Sequence, residues 1–136
     1  MRSASKILVI LVSIVFLSSC MARQQPIRQT SSNPIPTAAQ ELSLEKIGLI
    51  MSQAGTKRRW NIEPTTPGHL HGILRVRSHM AEVDIDFNHR AYTIRYSASV
   101  NLLYNGSMIH SSYNRWVAAL EQDINFALHA AALTLR

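Results

Sequence analysis

Between residues 70 and 97 apolar and polar side chains alternate in three consecutive runs. Leu70, Gly72, Leu74 and Val76 alternate with His71, Ile73, Arg75 and Arg77; Ala81, Val83, Ile85 and Phe87 alternate with Glu82, Asp84 and Asp86; Tyr92, Ile94 and Tyr96 alternate with Thr93, Arg95 and Ser97. A period of two marks strands with one buried and one wet face. A hairpin tip at His89 and Arg90 sets Phe87 opposite Tyr92, Ile85 opposite Ile94 and Asp84 opposite Arg95. A preceding tip at His79 and Met80 sets Val76 opposite Val83, Leu74 opposite Ile85 and Arg75 opposite Asp84. Both choices keep the apolar sets on one face, which a slip of one residue would not. Asp84 is then expected between Arg75 and Arg95 on the wet face, with Glu82 facing Arg77, each pair contributing about 0.2–1 kcal/mol.

The flanking segments carry helical periods. Leu44, Ile47, Ile50, Met51 and Ala54 recur at three and four, the mark of a one-faced helix. Ser43 suits its N-cap, Glu45 its first turn and Gly55 its C′ position. Gly48 weakens its middle by about 1 kcal/mol relative to Ala unless something packs closely there. Residues 60–63 then read as a first strand and residues 64–68 as a turn, which puts Ile62 opposite Leu70 and Trp60 over Gly72. An indole over a strand glycine covers the missing side chain. Lys57, Arg58 and Arg59 read as a solvated charge run, with a binding patch as the alternative. After Ser97 comes a long, weakly periodic segment holding the turn signal Asn105-Gly106. Ser111 or Ser112 then caps a helix over residues 113–133, striped by Trp116, Val117, Leu120, Ile124, Ala127, Leu128 and Ala131. The predicted fold class is α+β: a two-layer sandwich, a four-stranded antiparallel meander covered on one face by two helices, in the order αββββα.

The N-terminus has a different character. Arg2 and Lys6 precede an apolar run over residues 7–17, interrupted by Ser13, and Leu17-Ser18-Ser19-Cys20 follows. The run is shorter than the roughly 20 residues needed to span a bilayer and fits a secretory signal. An aliphatic residue, two small residues and a cysteine resemble the lipobox of bacterial lipoproteins. The resemblance implies diacylglyceryl transfer to the Cys20 sulfur, cleavage before Cys20 and acylation of the new amino group. Met21, where enteric lipoproteins kept in the inner membrane tend to carry Asp, implies the outer membrane, facing the periplasm. The plain reading is an ordinary cleaved signal peptide, or a signal anchor with an incidental cysteine. Residues 1–19 are thus expected as the signal peptide, 20–41 as a lipidated cysteine and flexible tether, and 42–136 as the globular domain. Pro26, Pro34, Pro36 and many Gln, Ser and Thr support the tether, since such a segment offers little apolar surface to offset its ordering entropy.

Composition narrows the chemistry. The chain has 136 residues, enough for one domain, and 14 basic against 8 acidic residues. With Arg2 and Lys6 assigned to the signal, the basic excess is modest and interleaved with acid, which suits weak contact with anionic surfaces and argues against nucleic-acid binding. Cys20 is the single cysteine, so the domain is expected without disulfides or thiolate metal sites. His69 and His71 share a strand face, but arginines nearby disfavour a zinc ion there, and no metal or other cofactor is expected. Asp84, flanked by arginine, is a poor general acid, and the nucleophile elbow Gly-x-Ser-x-Gly is absent. His110 beside Ser111 and Ser112 reads first as a hydrogen-bonding and capping group; the alternative is a small hydrolase or ligand-binding enzyme with a pocket bordered by His110, Tyr104 and Asn101.

Across residues 44–124 the chain also resembles a group of small proteobacterial lipoproteins of uncharacterised function. The likeness rests on Gly55 and Trp60, Pro67-Gly68-His69-Leu70, Leu74-Arg75-Val76-Arg77-Ser78-His79 and Tyr92-Thr93-Ile94-Arg95-Tyr96. It continues through Ser99-Val100-Asn101-Leu102-Leu103-Tyr104, Ile109-His110 and Tyr113-Asn114-Arg115-Trp116-Val117. Residues 56–59 lengthen the usual spacing between the glycine and the Trp. The resemblance brings no catalytic assignment. Among its residues His79, Asn101, Tyr104, His110, Tyr113, Asn114 and Trp116 form the candidate binding cluster, expected at one end of the sheet. The expected function, motivated by the tether and by the mixed basic and acidic open sheet face, is a membrane-anchored envelope lipoprotein with a non-enzymatic binding or structural domain. Its expected partners are the membrane, through lipid on Cys20, and an envelope protein, glycan or anionic surface.

Overall fold

The computed structural model describes residues 23–135. The signal segment and Cys20 lie outside the described residues. Within them, the segment expected as a tether belongs to the fold. Strand β1 (Gln24–Pro26) pairs antiparallel with a late strand, Gln24 opposite His110 and Pro26 opposite Met108. Strand β2 (Asn33–Pro34) pairs with Tyr92 and Ala91, and a 3-10 helix (Thr37–Glu41) follows. Between them the Thr30 hydroxyl donates to the Ile94 carbonyl (2.6 Å) and accepts from the Ile94 amide (2.7 Å), standing in for a strand partner. Ile35 and Ala39 are buried in the common core. Local composition suggested a solvated tether because the edges that receive this segment lie 60 to 90 residues further along the chain.

Helix α1 (Leu44–Thr56) is capped by Ser43, whose side chain accepts from the Lys46 amide. Gly48 has its close neighbour: a Cβ there would lie 3.0 Å from the Phe87 ring. Gly55 is not the C′ residue but sits inside the last turn, where a Cβ would run into Ile62. The left-handed residue after the helix is Arg59 (φ 68°). Lys57 and Arg58 are not simply solvated: they reach the buried Asp123 carboxylate at 3.5 and 2.6 Å and tie the end of α1 to the last helix.

The meander follows as β3 (Asn61–Thr66), β4 (His69–Val76), β5 (His79–Phe87) and β6 (Ala91–Val100). With β2 it makes a five-stranded sheet in the order β2-β6-β5-β4-β3, one strand more than the meander alone. The β5–β6 register is the expected one, with Phe87 opposite Tyr92, Ile85 opposite Ile94 and Asp84 opposite Arg95. Beyond Val83 a bulge shifts the pairing and carries β6 on to Val100.

Two registers differ from expectation. The β4–β5 tip is Arg77-Ser78, so Val76 faces His79, Leu74 faces Ala81, Gly72 faces Val83 and Leu70 faces Ile85. Arg77 takes the left-handed conformation (φ 55°) that tightens this turn. The slide is an even number of residues, so the apolar face survives it and the alternation cannot reveal it. In the first hairpin Pro67-Gly68 alone make the turn and β3 runs through Pro64, which puts Ile62 opposite Gly72. Proline is tolerated there because β3 is an edge strand. Both Ile62 and Trp60 lie over Gly72, at 3.2 and 3.5 Å from where a Cβ would stand.

Strand β7 (Met108–His110) completes the small sheet with β1, and helix α2 (Ser111–Thr134) begins at once. Its N-cap is His110, whose Nδ1 accepts from the Ser112 amide, rather than Ser111 or Ser112. Val117, Leu120, Ile124 and Leu128 of α2, Ile47 and Met51 of α1, and the apolar sheet face form one buried cluster. Tyr92 ties the two layers together, donating to Asn125 Oδ1 at 2.7 Å. The architecture is an α+β sandwich with the charged sheet face left to solvent. Among the described residues no helix is long and apolar enough to cross a membrane.

Candidate functional site

The end of the sheet formed by the β4–β5 tip, the end of β6, the 101–107 loop and the start of α2 gathers most of the residues singled out by sequence. Asn101 turns the chain away from β6 in a left-handed conformation (φ 57°). Its Nδ2 donates to the Ser78 carbonyl (2.7 Å), and its own carbonyl accepts from His79 Nδ1 (2.8 Å), so the loop is stapled to the hairpin tip. The His79 ring stacks on His110, with centroids 6.3 Å apart and planes at 25°, and lies 6.5 Å from Trp116. His79, Asn101, His110 and Trp116 thus form one cluster.

The other three candidates sit around it in different roles. Tyr113 is buried edge-on to Tyr96, and Tyr104 packs 4.1 Å from the same ring while donating to the Gly106 carbonyl. Burial pushes the Tyr113 phenol well above its usual range, so it stays neutral. Asn114 accepts from the Arg28 amide (2.8 Å) and donates to the Pro26 carbonyl (2.9 Å), which clamps the chain leaving β1. Sequence reasoning missed Tyr96 as the hub of the tyrosine group, having read it only as an inward strand residue. It also missed Gln24, whose side chain donates to the Leu103 carbonyl at 2.7 Å.

The chemistry open to His110 follows from its hydrogen bonds. Nδ1 accepts from the Ser112 amide, so in this arrangement the ring is neutral and its proton is on Nε2. Burial, then the nearby His79, Arg23 and Arg115, lower its pKa from the ordinary value of 6.5. A lone pair held by a helix cap is not free to take a proton from a substrate. Ser112 Oγ is occupied as well, accepting from the Arg115 guanidinium at 3.0 Å.

The wet sheet face differs from the expected ladder because of the β4–β5 shift. His71, not Arg75, lies opposite Asp84, with Nδ1 at 2.9 Å, and its Nε2 reaches Glu82 at 3.3 Å. Arg95 and His69 both turn to Asp86. The Arg95 guanidinium, with His69 adding to it, holds the Asp86 carboxyl below its usual range. The hydrogen bond to Asp84 raises the pKa of His71 above 6.5 against the effect of desolvation, with Glu82 adding to it. A proton bound more tightly in the folded state stabilises fully below pH 6.5 and ceases to do so as pH rises through the raised value. Urea denaturation across pH 6 to 9 is expected to show this loss in the wild type and not in His71→Gln. His110 acts in the opposite sense: its lowered pKa removes stability as pH falls below 6.5, so the two contributions occupy separate windows. Among the described residues no three His, Cys, Asp or Glu side chains are grouped to hold a metal ion.

A groove of about 920 Å³ opens at the other end of the sheet, between the first half of α1 and the β3–β4 hairpin. Leu44, Leu49, Ile62, Pro64, Leu70 and Phe87 supply its apolar walls, and none of the seven sequence candidates lines it. No protein-family model and no curated protein sequence matches the chain.

Proposed function

We propose that the protein is a lipid-anchored lipoprotein of the cell envelope, attached to the outer membrane by acyl chains on Cys20, and that its domain works by binding or as a structural part rather than by catalysis. The anchoring half rests on the basic start, the short apolar run and Leu17-Ser18-Ser19-Cys20. One observation carries the non-enzymatic half: the polar side chains that would do chemistry are used up holding backbone. His79 and Asn101 staple the loop, His110 caps α2 and Asn114 clamps the segment after β1. The hydrolase alternative has less support, because the His110 lone pair is engaged. The charged open sheet face offers a surface for an envelope protein, glycan or anionic partner.

Replacing Cys20 by Ser tests the anchor. Two or three acyl chains hold a protein on a bilayer where one is marginal, at about 0.8 kcal/mol per buried CH₂. The wild type is expected to incorporate labelled palmitate and pellet with membranes, and Cys20→Ser to do neither. Equal labelling and pelleting of the two would overturn the proposal.

A further inference from the structure

We infer that the sheet end carrying Leu103 and Tyr104 lies on the phospholipid surface to which Cys20 is anchored, with Leu103 set into the headgroup layer and Arg23, Arg77 and Arg115 facing lipid phosphates. This rests on the lipoprotein reading and gives the anchored domain an orientation.

Chain length limits how far the fold can stand from Cys20. Arg23 is already tied to the fold, its carbonyl accepting from the Ser111 amide at 2.8 Å, and β1 starts at the next residue. Whatever its conformation, a chain spans at most about 3.3–3.6 Å per residue, so Arg23 stands within roughly 10 Å of Cys20. The polar headgroup layer is itself about 5–7 Å deep on each side. The domain therefore has no slack to rise from the bilayer, and the end that holds Arg23 meets it.

That end also displays an apolar tip. Gln24, four residues from the acylated cysteine, holds the Leu103 carbonyl. Leu103 is 56% exposed and adopts a left-handed conformation (φ 56°), which costs a residue with a Cβ about 1–2 kcal/mol. A strained, exposed leucine is unfavourable in water; at an interface its side chain leaves water. Val100 and Tyr104, 47% and 40% exposed, flank it, and tyrosine suits the boundary between headgroups and acyl chains.

The charge of this end is basic. Residues 23–27, 76–79 and 100–116, which build this end, contain Arg23, Arg77 and Arg115 and no Asp or Glu, and Glu82, opposite Ala98 further along the ladder, is taken up by His71. Among the described residues the arginines paired with carboxylates are Arg28, Arg58 and Arg95, all outside this set. Arginines with an apolar tip and no acid match a surface of phosphate groups.

The test uses the full-length lipidated protein in vesicles of phosphatidylethanolamine and phosphatidylglycerol. Because Cys20 is the single native cysteine and is blocked by lipid, Leu103→Cys or Leu49→Cys takes a nitroxide at one site. Leu49, exposed beside the groove at the other end, is the control. For a side chain about 5–10 Å into the boundary, collision with an aqueous nickel complex is expected to fall about threefold or more at 103 and collision with oxygen to rise, with neither change at 49. Water-like values at 103 in a protein whose acylation is verified by mass overturn the orientation alone; an unacylated Cys20 overturns the anchor and the orientation with it. Shielding of 103 in native envelopes but not in vesicles would assign the surface to a protein, which also overturns the inference.

Discussion

Ile35→Ala is expected to lower the free energy of unfolding by about 2–5 kcal/mol, the range for removing a buried aliphatic side chain from a packed core. Ile35 is 2% exposed. Its amide donates to the Arg90 carbonyl and its carbonyl accepts from the Gln40 side chain, both at 2.8 Å, so the backbone is fixed and the cavity has little chance to close. A solvated tether would give a change near zero. Urea denaturation of the wild type and the variant separates the two, and an unchanged midpoint would mean that residues 23–41 do not share the core. The same measurement bears on the proposed orientation, because with residues 23–41 loose a domain anchored at Cys20 would be free to tumble above the bilayer.

Gly68→Ala is expected to cost about 2 kcal/mol or more, from two sources. Gly68 has φ +81°, and a residue with a Cβ loses about 1–2 kcal/mol in that region. The new Cβ would also stand 2.8 Å from the Phe87 carbonyl oxygen, a backbone atom that cannot rotate away. Phe87 is held there because its amide donates to the Gly68 carbonyl, so relief would break the bond that locks the β3–β4 turn onto the end of β5. Gly106→Ala is the control: it has φ +103° and nothing within 4 Å of the added Cβ, so it isolates the backbone part. Equal losses for the two variants would show that the close approach to Phe87 contributes nothing.

The candidate cluster shows how unevenly a site can be read from a chain. His79, Asn101, His110 and Trp116 were legible as a group through the resemblance, and their expected place at one end of the sheet holds because His79 starts β5, Asn101 follows β6, His110 ends β7 and Trp116 lies in the second turn of α2. Their roles were not legible. That His110 caps a helix depends on a ring nitrogen 3.1 Å from one amide, and that Asn114 grips Pro26 depends on a strand 88 residues away. The groove beside α1 had no sequence signal, since Leu44, Ile62, Leu70 and Phe87 look like ordinary core positions.

By itself the sequence determined the two helices, the inward face of every meander strand and the β5–β6 register, because periods of 3.6 and 2 and a short turn are local properties of the chain. It also carries Leu17-Ser18-Ser19-Cys20, whose resemblance to a lipobox is read without any fold. The tertiary structure alone decided the β4–β5 slide, the capture of residues 23–41 and the pairing of Asp123 with Arg58. A shift by an even number of residues leaves the alternation intact, and a polar segment or a buried carboxylate is stabilised by partners that only folding brings near. Interactions within a few residues leave a periodic trace in the sequence; those across sixty or more leave none.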